Sequence, residues 1–146
     1  MQFTNDLSKR ECREGVTRRF EELTPNFATR HGSTHENACD FVKNCVSIAF
    51  NIPLRKLNAP TRLGARIAFA RQVAMYIAHV QLGLKLHEVG RYFDRDRTTV
   101  AHACRLVEDH RDNSEIDFLI DCLCRSLDEW RALSSASSGR GGSEER

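Results

Sequence analysis

No stretch of these 146 residues is apolar for the roughly 18 positions that a membrane-spanning helix requires. The opening residues, "MQFTNDLSKRECREG", also lack the apolar centre of a signal peptide. The expectation is a protein of the cytoplasm that engages no membrane. Among the six cysteines (Cys12, Cys39, Cys45, Cys104, Cys122 and Cys124), no two form the Cys-x-x-Cys pair that a structural zinc site favours. Cys122 and Cys124 are two apart, so on a helix they point to different faces. In a reducing compartment these thiols are expected to be packed in a core, without disulfides, metal or other cofactor. No Gly-x-x-x-x-Gly-Lys-Ser/Thr phosphate loop occurs, so the chain is expected neither to bind nor to hydrolyse a nucleotide. Strand-like alternation is lacking as well, which leaves an all-α fold.

Acids are scarce across the middle of the chain. From Arg55 to Arg105, ten Lys or Arg stand against three acids (Glu88, Asp94 and Asp96), a net of +7 in a chain whose total is only +2. From Leu106 to Ala136 the balance reverses, with eight acids against three bases, a net of −5. Such asymmetry fits one face for a polyanion and another that is not. The bland reading is a solvated mixed surface.

With 40% hydrophobic and 29% charged residues, the chain has the composition of a soluble globular protein. Its length allows one core with tails. Residues 1–35 form a polar N-terminal extension, partly helical or disordered. Val16, Phe20 and Leu23 there fit one side of a short helix that Thr24-Pro25 stops. Residues 134–146, within "SSASSGRGGSEER", are Ser/Gly-rich and read as a disordered tail. Residues 36–133 between them form a compact helical bundle. Ser33 or Thr34 caps a first helix whose inner side is Ala38, Phe41, Val42, Cys45, Ile48 and Ala49. "NIPLRKL" is a short second helix with Pro53 in its first turn, and "NAPTRLGAR" is a basic loop. A long helix then runs from Ala65 to about Leu82 with Ile67, Ala70, Val73, Ala74, Ile77 and Val80 inside, and Gly83 as its stop.

The segment "LKLHEVGRYFDRDRTTVAHACRLVEDH" carries the chemistry. Leu86, Val89 and Phe93 give two turns of helix, with Gly90 inside them to permit close approach by another helix. "DRD" is a turn, and Asp96 is placed to cap the next helix by accepting the Thr98 or Thr99 amide. This is the outline of a helix-turn-helix. Unrolled at about 100° per residue, the second helix gathers Val100, Ala103, Cys104 and Val107 on one side. Arg97, Thr98, Ala101, His102 and Arg105 gather on the other, with Thr99 toward the buried side. That outer inventory suits the major groove: Arg reads guanine O6 and N7, Thr bonds a base or phosphate, and methyls meet thymine methyls. Short side chains at the helix start also let its exposed amides approach phosphate. The plainer alternative is that the threonines satisfy local backbone groups, that His102 is a solvated surface histidine and that Cys104 is core.

The run "ARQVAMYIAHVQLGLKLHEVGRYFDRDRTTVAHACRLVE" resembles the C-terminal DNA-binding domain of the bacterial replication initiator DnaA, above all in "EVGRYF" and "RDRTTVAHACR". "ENACDFVKNCVSIAFNIPLRKL" is similar to the start of that domain, so the resemblance covers Glu36 to Glu108 and extends weakly to Leu127. It implies sequence-specific binding of double-stranded DNA at DnaA-box-like sites, in a protein associated with the nucleoid that regulates replication initiation or transcription. Asp96, Arg97, Thr98, Thr99 and His102 occupy the family's base-reading positions; the family usually has His where Arg97 stands. An arginine of the basic loop is implied in the minor groove, either Arg62 or Arg66, with Arg66 favoured. The resemblance implies phosphate or backbone contacts for Arg71, Gln72, Leu86 and His87, His87 standing where the family has Pro; Arg62, Lys85, Arg95 and Arg105 are further phosphate-contacting candidates. The resemblance does not reach the family's ATPase domain, so a freestanding DNA-binding module is expected, unable to melt an origin alone.

The last helix has its own pattern. Ser114 and Asp117 resemble a capping pair, and Ile116, Leu119, Ile120, Leu123, Leu127, Trp130 and Leu133 make an apolar stripe. Packing on the domain's own core is the first reading. A homodimer through this helix is the alternative, since it would read two half-sites. A protein-interaction module binding a replication or regulatory partner through the same acidic helix is the competing function. An enzyme is not expected: His79, His87 and His102 have acids nearby, but no nucleophile, base and orienting group can be assembled.

Overall fold

The computed structural model describes residues 33–138, all helix and connection with no strand among them. The expected Val16–Phe20–Leu23 helix lies outside the described residues. Six helices follow in order: α1 (Thr34–Ala49), α2 (Leu54–Leu57), α3 (Ala65–Val80), α4 (Leu86–Phe93), α5 (Arg97–His110) and α6 (Ser114–Ser138).

Ser33 caps α1, its Oγ accepting the Glu36 amide at 3.2 Å. Ala38, Phe41, Val42 and Cys45 are buried as the spacing predicts, but so are Cys39 and Val46. Neighbours therefore cover a wider arc of α1 than its apolar stripe. Pro53 stands at the N-cap of the one-turn α2, where its missing N–H costs nothing.

Helix α3 is the central post. A helix with one buried side was expected. Instead Ala70, Arg71, Val73, Ala74, Met75, Tyr76, Ile77 and Ala78 are all buried, because α1, α4, α5 and α6 pack around it. Val80, expected inside, is 51% exposed, at the last residue of the helix. Gly83 follows at φ 66° and turns the chain toward α4.

Two apolar clusters result. The larger joins α1, α3 and α6 through residues such as Phe41, Val46, Val73, Ile77, Ile120 and Leu127. The smaller lies beneath the helix-turn-helix and comprises Cys39, Met75, Ala78, Leu84, Val89, Val100 and Ala103. The α6 stripe is committed to the first cluster. Ile120, Leu123 and Leu127 are buried, and Trp130 stacks on Phe41 with ring centroids 4.8 Å apart. Leu133, one turn further on, is 65% exposed. The cap of α6 is Asn113 rather than Ser114. Its Oδ1 accepts from the Glu115 and Ile116 amides at 2.9 and 3.3 Å, while Asp117 pairs with Arg111. The helix continues to Ser138, so residues 134–138, expected in the tail, belong to it.

Gly90 permits close approach, but of the turn rather than of another helix. A Cβ there would collide with the Arg95 carbonyl oxygen, and the Arg95 amide donates to Gly90 O at 2.9 Å. Asp94 closes α4 in the left-handed conformation (φ 52°, ψ 52°), which Asp tolerates better than most residues. Gly90→Ala is therefore expected to cost about 1–3 kcal/mol of unfolding free energy, the range for overpacking a tight contact. Urea denaturation measures it, and a loss within a few tenths of a kcal/mol of zero would contradict the assignment.

Candidate nucleic-acid interface

The start of α5 is built on Asp96. One carboxylate oxygen accepts the Thr99 amide at 2.7 Å and the other accepts the Thr99 hydroxyl at 2.9 Å. These bonds hold the Asp96 carboxyl below the usual aspartate range. Local satisfaction thus accounts for Thr99, which is exposed rather than turned toward the core. Asp96 is engaged through both oxygens.

The rest of the helix divides cleanly. Val100, Ala103 and Val107 are at most 1% exposed, and Cys104 is half-buried. Arg97, Thr98, His102 and Arg105 are exposed, and Ala101 is half-exposed among them. Among the described residues, the side chains of Arg97, Thr98 and His102 hold no hydrogen bond or ion pair. One guanidinium, one imidazole and one hydroxyl are therefore available to a ligand along one outward ridge.

The other basic positions separate into outward and inward groups. Arg62, in the loop before α3, and Lys85, at the entry to α4, are exposed. His87 is exposed, while Leu86 and Gln72 are half-buried. Arg66, one residue into α3, is exposed but donates to the Phe50 carbonyl at 2.6 Å. Arg71 is 8% exposed and donates to the Leu57 carbonyl at 2.8 Å and the Lys56 carbonyl at 3.2 Å. Arg95 donates to the Asp94 carbonyl at 2.7 Å and, across the fold, to the Ala59 carbonyl at 2.9 Å. Burial, and then the nearby Arg95 charge, make the Arg71 guanidinium easier to deprotonate than usual.

An open groove of about 380 Å³ runs between α4 and the start of α5, lined by His87, Arg91, Arg95 and Arg97 with Asp94 and Asp96. Arg91 is the residue that sequence reasoning missed. It is exposed, and it follows His87 by four positions on α4, the spacing that places both on one face. That spacing was the available signal.

Behind the ridge, α5 is pinned at its far end. The Tyr76 hydroxyl donates to Glu108 at 2.7 Å, and Arg111 reaches Tyr76 Oη, Asp117 and Asp121. Lys43 of α1 donates to the Tyr92 carbonyl at 2.7 Å and lies 4.8 Å from the Phe93 ring centre, closing the end of α4. His79 is bonded to the Leu84 carbonyl at 2.7 Å, a structural link. Among the described residues no cysteine is in a disulfide. Burial pushes Cys39 up to about 12 and Cys124 up to about 11, and raises Cys104 too, so all three stay protonated at neutral pH. Among the described residues no cluster of His, Cys, Asp and Glu is arranged to hold a metal ion, and no helix is long and apolar enough to cross a membrane.

Two helices joined by a three-residue turn, the second buried on one side and presenting an uncommitted basic ridge on the other, define a helix-turn-helix DNA-binding domain. Residues 39–107 match the family described as the bacterial dnaA protein helix-turn-helix. The chain is similar to proteins named chromosomal replication initiator protein DnaA. It is 35% identical to that of Bartonella quintana over 73% of the chain and 20% of the relative. With that of Acholeplasma laidlawii it is 31% identical over 64% of the chain and 21% of the relative. With that of Thermoanaerobacter sp. strain X514 it is 28% identical over 86% of the chain and 24% of the relative. The chain thus spans about a fifth to a quarter of the length of these relatives. No solved structure matches it.

The Asp96 cap makes a pH prediction with a definite sign. A carboxyl lowered in the folded state contributes stability that is complete above its unfolded pKa and is lost as pH falls through the folded one. Thermal melts of the protein and of Asp96→Ala are expected to differ by a constant amount near neutrality. The difference is expected to shrink as pH drops through and below the ordinary aspartate range. A gap unchanged down to strongly acidic pH would contradict the role.

Proposed function

We propose that this domain binds double-stranded DNA sequence-specifically at DnaA-box-like sites and thereby regulates replication initiation or transcription. The observation that carries the reading is the exposed, unpartnered trio of Arg97, Thr98 and His102 on a helix whose opposite side is fully buried. In the proposed complex α5 lies in the major groove, where Arg97 addresses guanine and Thr98 and His102 address neighbouring base edges. Asp96 and Thr99 keep the helix start in shape, with their remaining lone pairs turned to the same groove. Lys85, Leu86, His87, Gln72 and Arg105 flank the ridge and meet phosphates. Arg91 joins them from the groove beside His87. For the minor groove, Arg62 is better placed than Arg66. It stands on the loop itself, exposed, whereas the Arg66 guanidinium is engaged with Phe50. The reading is of a binding module, not an enzyme, and it requires no nucleotide. A dimer or a protein partner docking on α6 would have to use the surface around Leu133, because the stripe up to Trp130 is already in the core.

Arg97→Ala is expected to remove roughly 1–3 kcal/mol of discrimination at one base position, whereas Lys85→Ala weakens all sequences alike. Titration of both variants and the parent against a DnaA-box duplex and a scrambled duplex, at physiological salt, measures this. Equal affinity of the parent for the two duplexes would overturn the sequence-reading claim.

A further inference from the structure

Three arginines converge on the carbonyls of one short segment. Arg66 takes the carbonyl of Phe50, Arg71 those of Lys56 and Leu57, and Arg95 that of Ala59. The first two belong to α3, which leads directly out of the loop. Arg95 does not. It sits in the turn between α4 and α5, 36 residues along the chain from its acceptor. Among the described residues, its bond to Ala59 is the one side-chain hydrogen bond between that turn and the loop at 58–64.

The acceptor end is well suited to a cation. Among the described residues, the Leu57 and Ala59 carbonyls at the exit of α2 accept no backbone amide, and helix C-termini favour positive charge. Neither Arg71 nor Arg95 has a carboxylate partner among the described residues. The guanidiniums are therefore held by backbone carbonyls alone. The planar fork of Arg95 suits a strut: Nη1 is fixed on its own turn at Asp94 O, and Nη2 on the loop at Ala59 O.

We propose that Arg95 is a positioning residue that fixes the loop carrying Arg62 relative to the helix-turn-helix, so that the two DNA-contacting parts act as one rigid unit. The inference rests on the proposed DNA-binding function for its consequence, though not for the strut itself. It assigns Arg95 a role different from a phosphate contact. A phosphate contact acts through its own charge at the DNA. A strut acts through the placement of Arg62 and reports in the free protein.

Two measurements on the full chain separate these. In the free protein, hydrogen exchange of the Asn58 and Ala59 amides, which are bonded to Leu54 O and Lys56 O, reads the order of the loop. Arg95→Ala is expected to speed their exchange about tenfold, the effect of losing a bond worth a factor of ten in the opening equilibrium. Lys85→Ala is expected to leave it unchanged. In DNA titrations Arg95→Ala is expected to lower box affinity about tenfold while leaving the salt dependence of binding at the parent's slope. Added to Arg62→Ala, it is expected to cost little more.

Arg95→Lys guards against misfolding of the alanine variant. It keeps the charge but not the two-pronged bond, so it too is expected to loosen the loop at full salt slope. Unchanged exchange at Asn58 and Ala59 in every Arg95 variant overturns the proposal. So does a salt slope that falls by about 0.9, the loss of one phosphate contact, together with a penalty that adds fully to that of Arg62→Ala. If the parent fails to distinguish box from scrambled duplex, the function falls, while the exchange measurement still decides the strut.

Discussion

The one-sided burial of α5 against α3 is the constraint from which the interface follows. Val100, Ala103 and Val107 are removed from water, and each fully buried valine contributes on the order of 1.5–3 kcal/mol. Rotating the helix by even half a turn would expose all three and bury Arg97 and His102 instead, a change that the desolvation of a guanidinium forbids. The outward ridge is thus held in place by what lies beneath it. The turn sets the angle: Gly90 allows the Arg95 carbonyl to come in, Asp94 takes the left-handed conformation, and Asp96 closes the first turn of α5. Tyr76, Glu108 and Arg111 fix the opposite end.

Charge is organised along the same division. The basic segment from Arg55 to Arg105 supplies the loop, the groove and the ridge, while the acids after Leu106 fall on the end of α5, on the connection at Asp112 and on α6. Two of these acids, Asp117 and Asp121, are paired with Arg111. Such a distribution sets a basic side apart from an acidic one, the arrangement that steers a domain toward a polyanion. Within the basic half, the arginines are not equivalent. Arg97 and Arg62 point outward without partners, whereas Arg66, Arg71 and Arg95 hold backbone carbonyls. Arginine serves both uses, as a reader of nucleic acid and as a clamp on exposed carbonyls at a helix end.

The parts legible in the sequence were those governed by local chemistry. Ser33 and Asp96 are capping residues at the starts of strongly periodic runs, and both caps formed. The two faces of α5 follow from a 3.6-residue period and one packing partner. Where several partners meet, the pattern misleads: Met75, Tyr76 and Ala78 are buried because α3 is surrounded, and Val80 is exposed at its last residue. Asn113 and Ser114 are adjacent and equally able to cap, so the sequence could not rank them. The inward role of Arg71 and Arg95 was invisible for a different reason. Apart from the Asp94 carbonyl beside Arg95, their acceptors are backbone carbonyls 14 to 36 residues away, a relation that no residue type encodes.

In the proposed complex the outer ridge of α5 lies against the edges of paired bases. Intermolecular nuclear Overhauser effects between the labelled protein and a DnaA-box duplex test it most directly. Contacts are expected from the Thr98 and Ala101 methyl groups to major-groove protons, with none from α6. Contacts that instead gather at Leu133 and the acidic surface of α6, with Thr98 and Ala101 silent, would contradict it.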